Sequence, residues 1–252
     1  MRNLTNSLNY IQDRDTKKTI KDILYKAAIY LKSSKSFNTD FLTPTEFKYA
    51  CELLKNMDID FSIVEPGADT ERKVIIVGDE KDAVKVFYIE PIHQAIEHRD
   101  VLGALLSLGI KRCKIGDIVF CDDRLEFAIL KDVVDDVKNG LTSIKNSAVR
   151  PVIKDIPFLH EPSFDINLKS GSISSLRLDA LIALMLNYSR NKAQKHIKSG
   201  KVKLNHEIND SVDAKIEEND EISVSGIGRF VLESIGGNSK KGRIFIKYYK
   251  KG

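Results

Sequence analysis

Apolar positions along this chain recur at two periods, and the switches between them divide it into segments. Between positions 15 and 31, Ile20, Ile23, Leu24, Ala27, Ala28 and Leu31 repeat at three- and four-residue intervals, the spacing of an amphipathic helix. A polar break follows at 33–38. Thr43-Pro44-Thr45-Glu46 then carries the signals of a helix start: a capping hydroxyl, a proline at the first helical position, and a glutamate placed to close a capping box. That helix is expected to end near Met57. Runs at 59–64 and 73–77 read as strands joined by a loop containing Pro66-Gly67.

The middle of the chain spells an order. A strand at 84–89 leads to a helix at 98–108 that stops at Gly109. Strands at 117–121 and 125–130 flank a turn at Asp122-Asp123. A helix at 131–139 closes at Gly140, and a last strand covers 143–153. Strand, helix, strand, strand, helix, strand is the ferredoxin-like arrangement that RNA-recognition modules share with many unrelated proteins. Pro151, Pro157 and Pro162, with polar residues between them, mark a connecting segment over about 154–171.

Beyond it, Leu178, Leu181, Ile182, Met185 and Tyr188 share one helix face. Ser189 caps a second helix that ends at Gly200. In that helix Ala193 and Ile197 form the buried stripe, and Asn191, Lys192, Lys195 and Lys198 project on the opposite side. Lys201 and Lys203 lie on a following strand at 201–204. Asn205-His206 is a turn candidate, and another strand covers 221–224. The expected fold class is α+β: an N-terminal helical and α+β region (1–80), an RRM-like middle domain (81–156), a linker (157–171), and a small C-terminal domain with a basic extension (172–252).

Charge sharpens this division. Residues 172–252 hold 15 Lys and Arg against 9 Asp and Glu, whereas residues 1–171 hold 25 against 27. A net +6 at one end of a chain that is otherwise −2 points to a polyanionic partner for that end alone. A lysine-rich helix face is often merely solvated. Here the basic run continues into Lys201 and Lys203 while the rest of the chain has the opposite sign, which favours a phosphate-binding face. The amides at Ser189-Arg190 add a helix N-terminus to it.

The string Arg177-Leu178-Asp179, Ser189-Arg190, Ile197 to Gly200, Val202, Asn205 and Asn219-Asp220-Glu221-Ile222 resembles the S4 domain, an RNA-binding module of ribosomal proteins, pseudouridine synthases and some tRNA synthetases. One position departs, His206, where such modules usually carry Gly. The resemblance implies an RNA surface built from Arg177, Ser189, Arg190, Lys192, Lys195, Lys198, Lys201 and Lys203, with Asp179 pairing locally with a basic residue. A wider resemblance rests on Glu97-His98-Arg99-Asp100-Val101-Leu102-Gly103-Ala104-Leu105, Leu108 to Arg112, Gly116-Asp117-Ile118, Gly226, Gly228-Arg229-Phe230, Gly236-Gly237 and Lys240 to Arg243. This combination is similar to the YlmH family of bacterial S4 proteins. It implies an RRM-like middle domain and association with the large ribosomal subunit and tRNA in quality control of stalled nascent chains. Arg99, Lys111, Arg112, Arg229, Lys240, Lys241 and Arg243 are then secondary candidates for RNA contact. Lys247, Lys250 and Lys251 lie outside the motif and read as solvated.

Catalytic signals fail on inspection. His98-Arg99-Asp100 mimics a kinase triplet, but Ser107 stands where the asparagine belongs and no glycine-rich loop or Asp-Phe-Gly exists. A structural role at a helix start, or an RNA contact by Arg99, fits the triplet better. Five histidines and three cysteines show no metal-ligand spacing. Phe87, Tyr88 and Phe127 sit where RRM domains place stacking aromatics, yet the surrounding pattern favours core. The chain is thus expected to be a monomeric, non-catalytic, cytoplasmic RNA-binding protein without cofactor or metal. Two alternatives remain. One is an RNA-modifying enzyme using Asp100, Asp122 or Asp123. The other is an adaptor that binds protein through its acidic N-terminal half.

Overall fold

The computed structural model describes residues 11, 13–68, 70–90, 96–121, 124–160, 168–239 and 242–251. The chain forms two compact units, Met1–Ser163 and Phe164–Gly252.

In the first unit, helix α1 (Arg14–Ser33) starts at Asp13, whose carboxylate accepts the Thr16 amide at 2.7 Å. Helix α2 (Pro44–Asn56) has the expected capping box. Thr43 Oγ1 accepts the Glu46 amide, and the Glu46 carboxylate accepts the Thr43 amide at 2.8 Å. The strands β1 (Phe37–Asn38), β2 (Ser62–Val64) and β3 (Val74–Val77) form an antiparallel sheet in the order β1-β3-β2. Ile20, Ile23, Leu24, Ala50, Leu53 and Leu54 pack on it with Ile75 and Val77 of β3. Val74 and Ile76, on the other face of β3, join a different cluster. A strand buried on both faces needs a continuous apolar run, and Val-Ile-Ile-Val supplies it.

The second sheet has the order β5-β6-β4-β9, all antiparallel, from β4 (Val84–Ile89), β5 (Ile115–Cys121), β6 (Arg124–Leu130) and β9 (Val152–Ile153). Helices α3 (His98–Ser107) and α4 (Val134–Gly140) complete the split βαβ pattern. Val101, Leu105 and Val137 of these helices cover Phe87, Ile89, Leu125, Phe127 and Ile129. Phe87 and Phe127 stack at 5.6 Å inside this core. On the opposite face, Val84, Val86, Ala128 and Leu130 are closed over by Phe41, Val74, Ile76 and Leu159. The sheet face on which RRM domains stack bases is here largely interior.

Several elements differ from expectation. The strand expected at 143–153 is broken into a hairpin, β7 (Ser143–Ile144) with β8 (Ser147–Ala148), followed by β9. Lys145 at φ 53° turns the chain there. The helix expected from 131 opens with a 3-10 turn, Lys131–Val133, before α4. Part of the connecting segment is packed against the first unit. Leu159 is buried, and its amide donates to the Pro66 carbonyl. Lys154 and His160 both reach the buried Glu126 carboxylate, at 3.0 and 2.6 Å. Burial would raise the Glu126 carboxyl, but the His160 amide, Lys154 and the His160 ring outweigh it and hold it below the usual range. The turn at Asp122-Asp123 and residues 161–167 of the linker lie outside the described residues.

The second unit is one six-stranded antiparallel sheet with two helices on one face. Its elements are β10 (Lys169–Ile173), α5 (Leu178–Met185), α6 (Arg190–Lys198), β11 (Val202–Leu204), β12 (Glu207–Ile208), β13 (Glu221–Val224), β14 (Gly228–Asn238) and β15 (Ile244–Lys251). The sheet order is β10-β15-β14-β13-β11-β12. Leu178, Leu181, Ile182, Met185, Ala193 and Ile197 meet Val202, Ile222, Val224, Phe230, Leu232, Ile246 and Tyr248 in its core. The basic tail is therefore two long strands, and β10 begins within the stretch read as linker. Gly200, at φ 69°, ends the α6 region in the left-handed conformation that glycine adopts without penalty.

The turn between β11 and β12 has Asn205 at φ 49° and His206 at φ 71°, the paired positive angles of a type I′ hairpin. Asn205 is held from both ends of its amide: Nδ2 donates to Asp220 at 2.7 Å, and Oδ1 accepts the Glu221 amide at 2.9 Å. That anchoring lets His206 occupy the position usually given to Gly. A β-branched residue tolerates this geometry worst. His206→Val should therefore cost about 1–2 kcal/mol in urea unfolding, while His206→Gly should be near neutral. Among the described residues no helix is long and apolar enough to cross a membrane.

Candidate nucleic-acid interface

The geometry centres on Asp179, whose side chain is 0% exposed at the first turn of α5. Three partners converge on it. Arg177 donates through Nε at 3.2 Å and Nη2 at 3.4 Å, and Arg190 through Nε at 3.0 Å and Nη2 at 3.2 Å. Gln194 Nε2 donates at 2.7 Å. Gln194 stands one turn after Arg190 on α6, so both reach the same carboxylate. Burial alone would raise the Asp179 carboxyl. The hydrogen bonds from Arg190, Gln194 and Arg177 outweigh it and bring the pKa down to about 2. The same pairing raises the Arg190 guanidinium.

Both guanidiniums remain open to solvent on their outer edges, with side chains 37% exposed for Arg177 and 47% for Arg190. A guanidinium has five N–H donors, and each of these spends two on Asp179. The remaining donors are fixed in direction, the condition for recognising a phosphate oxygen without further ordering.

Ser189 caps α6 as expected, its Oγ accepting the Lys192 amide at 3.3 Å. Lys192, Lys195 and Lys198 are exposed along α6. Lys192 Nζ lies 3.6 Å from the Tyr188 ring centroid, and Tyr188 stacks on His196 at 5.4 Å. Lys201 is exposed just before β11. The N-terminus of α5 is no second anion site, because its first amides donate to the Ala214 and Val212 carbonyls.

The expected set does not form one surface. Arg177, Ser189, Arg190, Lys192, Lys195 and Lys198 belong to the helical side. Lys203 does not: Val202 and Leu204 point toward the core, so Lys203 projects from the opposite face of the sheet, opposite Ser223. Arg229 is on that far face too, 4.0 Å from the Glu221 carboxylate. Arg243 is engaged with β10, donating to the Ser172 hydroxyl at 3.0 Å and to the Ser172 carbonyl.

In the first unit Arg99 is exposed and pairs with Glu97 at 2.9 Å, and Lys111 is exposed. Arg112 donates to the Ile115 and Gly116 carbonyls, and burial, aided by repulsion from Arg72, lowers its pKa to about 10. Those contacts give Arg112 a structural task. Asp100 caps α3 and pairs with Lys145 at 2.8 Å, which employs it in the fold. Asp122, Asp123, Lys240 and Lys241 lie outside the described residues. Among the described residues no three His, Cys, Asp or Glu cluster as a metal site. Sequence reasoning missed Gln194 and the aromatic partner of Lys192; for Gln194 the four-residue spacing from Arg190 on α6 was the available signal, whereas Tyr188 lies before the Ser189 cap, outside the helix.

Two short helices on a β-sheet, with paired arginines locked by a buried aspartate, define an RNA-binding module of the S4 type, and the S4 domain profile matches residues 176–222. A second profile, "Putative RNA-binding domain in YlmH", matches residues 83–158. The chain is 34% identical over 213 residues to the ribosome-associated protein quality control protein P2 of Bacillus subtilis, a match covering 81% of this chain and 82% of that one. It belongs to the YlmH family of S4-domain proteins. A solved structure, cell division protein ylmH from Streptococcus pneumoniae, is 18% identical with a TM-score of 0.47, covering 57% of this chain and 92% of that one.

Proposed function

We propose that the chain binds structured RNA, large-subunit rRNA together with tRNA, through the helical face of its second unit. In this reading it acts without catalysis in quality control of stalled nascent chains. One observation carries the RNA-binding part: Arg177 and Arg190 are oriented by a buried carboxylate, and the same helical side of the unit carries three exposed lysines. Fixed donors suit a phosphate at a defined place, and mobile lysines add sequence-independent affinity through counterion release. The name of the Bacillus subtilis relative supports the ribosomal setting. Crosslinking in cells followed by sequencing of the attached RNA is the test. Large-subunit rRNA and tRNA should dominate the reads, and recovery of messenger RNA alone would reject the ribosomal reading.

A further inference from the structure

The S4 match ends at residue 222, yet the sheet continues through β14 and β15. Strand β15 divides its side chains cleanly between two faces. Ile246 and Tyr248 enter the core with the helices. Phe245, Lys247, Tyr249 and Lys251 point the other way. Phe245 is 52% exposed, a large apolar ring on the sheet face opposite the two helices that the described residues of its unit form.

Small neighbours leave Phe245 and Lys247 exposed, while Tyr249, opposite Val231, and Lys251 are half-buried. Phe245 pairs with Ser172 on β10, and on its other side lies Gly236, where an added Cβ would touch the Phe245 Cβ at 3.4 Å. Lys247 stands between Ser170 and Ser234. Toward the other end, Lys251 pairs in register with Arg229, and Arg229 with Ser223, which pairs with Lys203. Lys203, Arg229, Lys247 and Lys251 thus share one face. Glu221 on this face binds Lys251 at 3.2 Å and lies 4.0 Å from Arg229. Glu233 is exposed at the bulge of β14. Lys203 and Lys247 are exposed on this face beside the Glu221 cluster.

Alternating aromatic and basic side chains along an open strand suit single-stranded nucleic acid: rings take base faces and cations take the phosphates between them. We propose that the outer face of β15 is a second RNA site, which binds an unpaired strand by stacking on Phe245 and Tyr249. It rests on the reading that the chain binds RNA, but not on the α6 surface, which is on the other side of the sheet.

The test compares the full chain with two variants, Phe245→Leu/Tyr249→Leu and Lys192→Glu/Lys195→Glu/Lys198→Glu, by fluorescence anisotropy. The probes are an unstructured oligouridine of about 12 nucleotides and a stable RNA hairpin. Leucine keeps the apolar bulk, and an unchanged thermal midpoint verifies the fold. The aromatic variant should lose about tenfold or more for the oligouridine and keep its hairpin affinity. The lysine variant should show the converse. Oligouridine affinity unchanged in the aromatic variant, or equal losses for both RNAs, overturns the site. Binding of the hairpin but not the oligouridine by the unmodified chain overturns this site alone, whereas binding of neither RNA removes the RNA reading itself. Loss of ribosome sedimentation by the aromatic variant with oligouridine binding intact assigns the face to a protein and likewise overturns the proposal.

Discussion

Replacing Asp179 with alanine should lower the unfolding free energy of the second unit by about 2–3 kcal/mol and weaken RNA binding at the same time. Removing one member of a buried charge cluster leaves its partners uncompensated, which costs roughly 3–5 kcal/mol when they too are buried. Here Arg177 and Arg190 are partly exposed and recover some hydration, hence the smaller figure. For a unit of this size, a loss of that order lowers the melting temperature by roughly 10 °C or more. The pH dependence gives an independent signature. The Asp179 carboxyl titrates at about 2 in the fold against 3.8 as its ordinary value. A depressed folded-state pKa means stability that is fully present above the unfolded value and is lost as pH falls from about 4 toward 2. Asp179→Asn should lack that component of acid sensitivity. A variant as stable as the parent at pH 7, with the same acid limb, would show that the pairing contributes nothing.

The second large effect is on affinity. Reversing Lys192, Lys195 and Lys198 together should reduce binding of structured RNA by two orders of magnitude or more in filter binding at near-physiological salt. Each phosphate contact removed flattens the plot of log affinity against log salt by about 0.7–0.9, so a drop of two to three in slope is expected. Arg190 is deliberately spared. A glutamate there would face the Asp179 carboxylate, now 3.0 Å from the arginine nitrogen, and the resulting misfolding would imitate lost binding. Unchanged affinity and slope in the lysine variant would remove α6 from the interface.

How much of this was legible depends on whether the deciding forces are local. The capping box at Thr43, the start of α6 at Ser189 and its end at Gly200 follow from side chains within one turn of the residues they cap, and the structure has all three. The split βαβ order was readable because its strands and helices differ in period. The hairpin at β7 and β8 was not, since a single residue at φ 53° breaks an otherwise strand-like run. Strands β14 and β15 were hidden differently. In β15 the inward row of Ile244, Ile246 and Tyr248 alternates with Phe245, Lys247 and Tyr249, but the surrounding glycines and lysines disguise that alternation as a basic tail. The RNA surface was legible as a set of residues and not as a place. Period two sends Lys203 to the opposite face from its neighbours in sequence, and the grouping with α6 overlooked this.

Phe41 and Leu159, described above as closing one face of the second sheet, have a practical consequence for dissecting the molecule. A fragment cut to the RRM-like segment alone would strip Phe41, Val74 and Ile76 from Val84, Val86, Ala128 and Leu130. That would leave a bare apolar sheet surface of the kind that drives self-association. Insolubility of such a fragment would report a severed core and say nothing about whether the segment binds RNA. Truncations meant to apportion function should therefore fall between the two units, beyond His160, where the first keeps its covering intact.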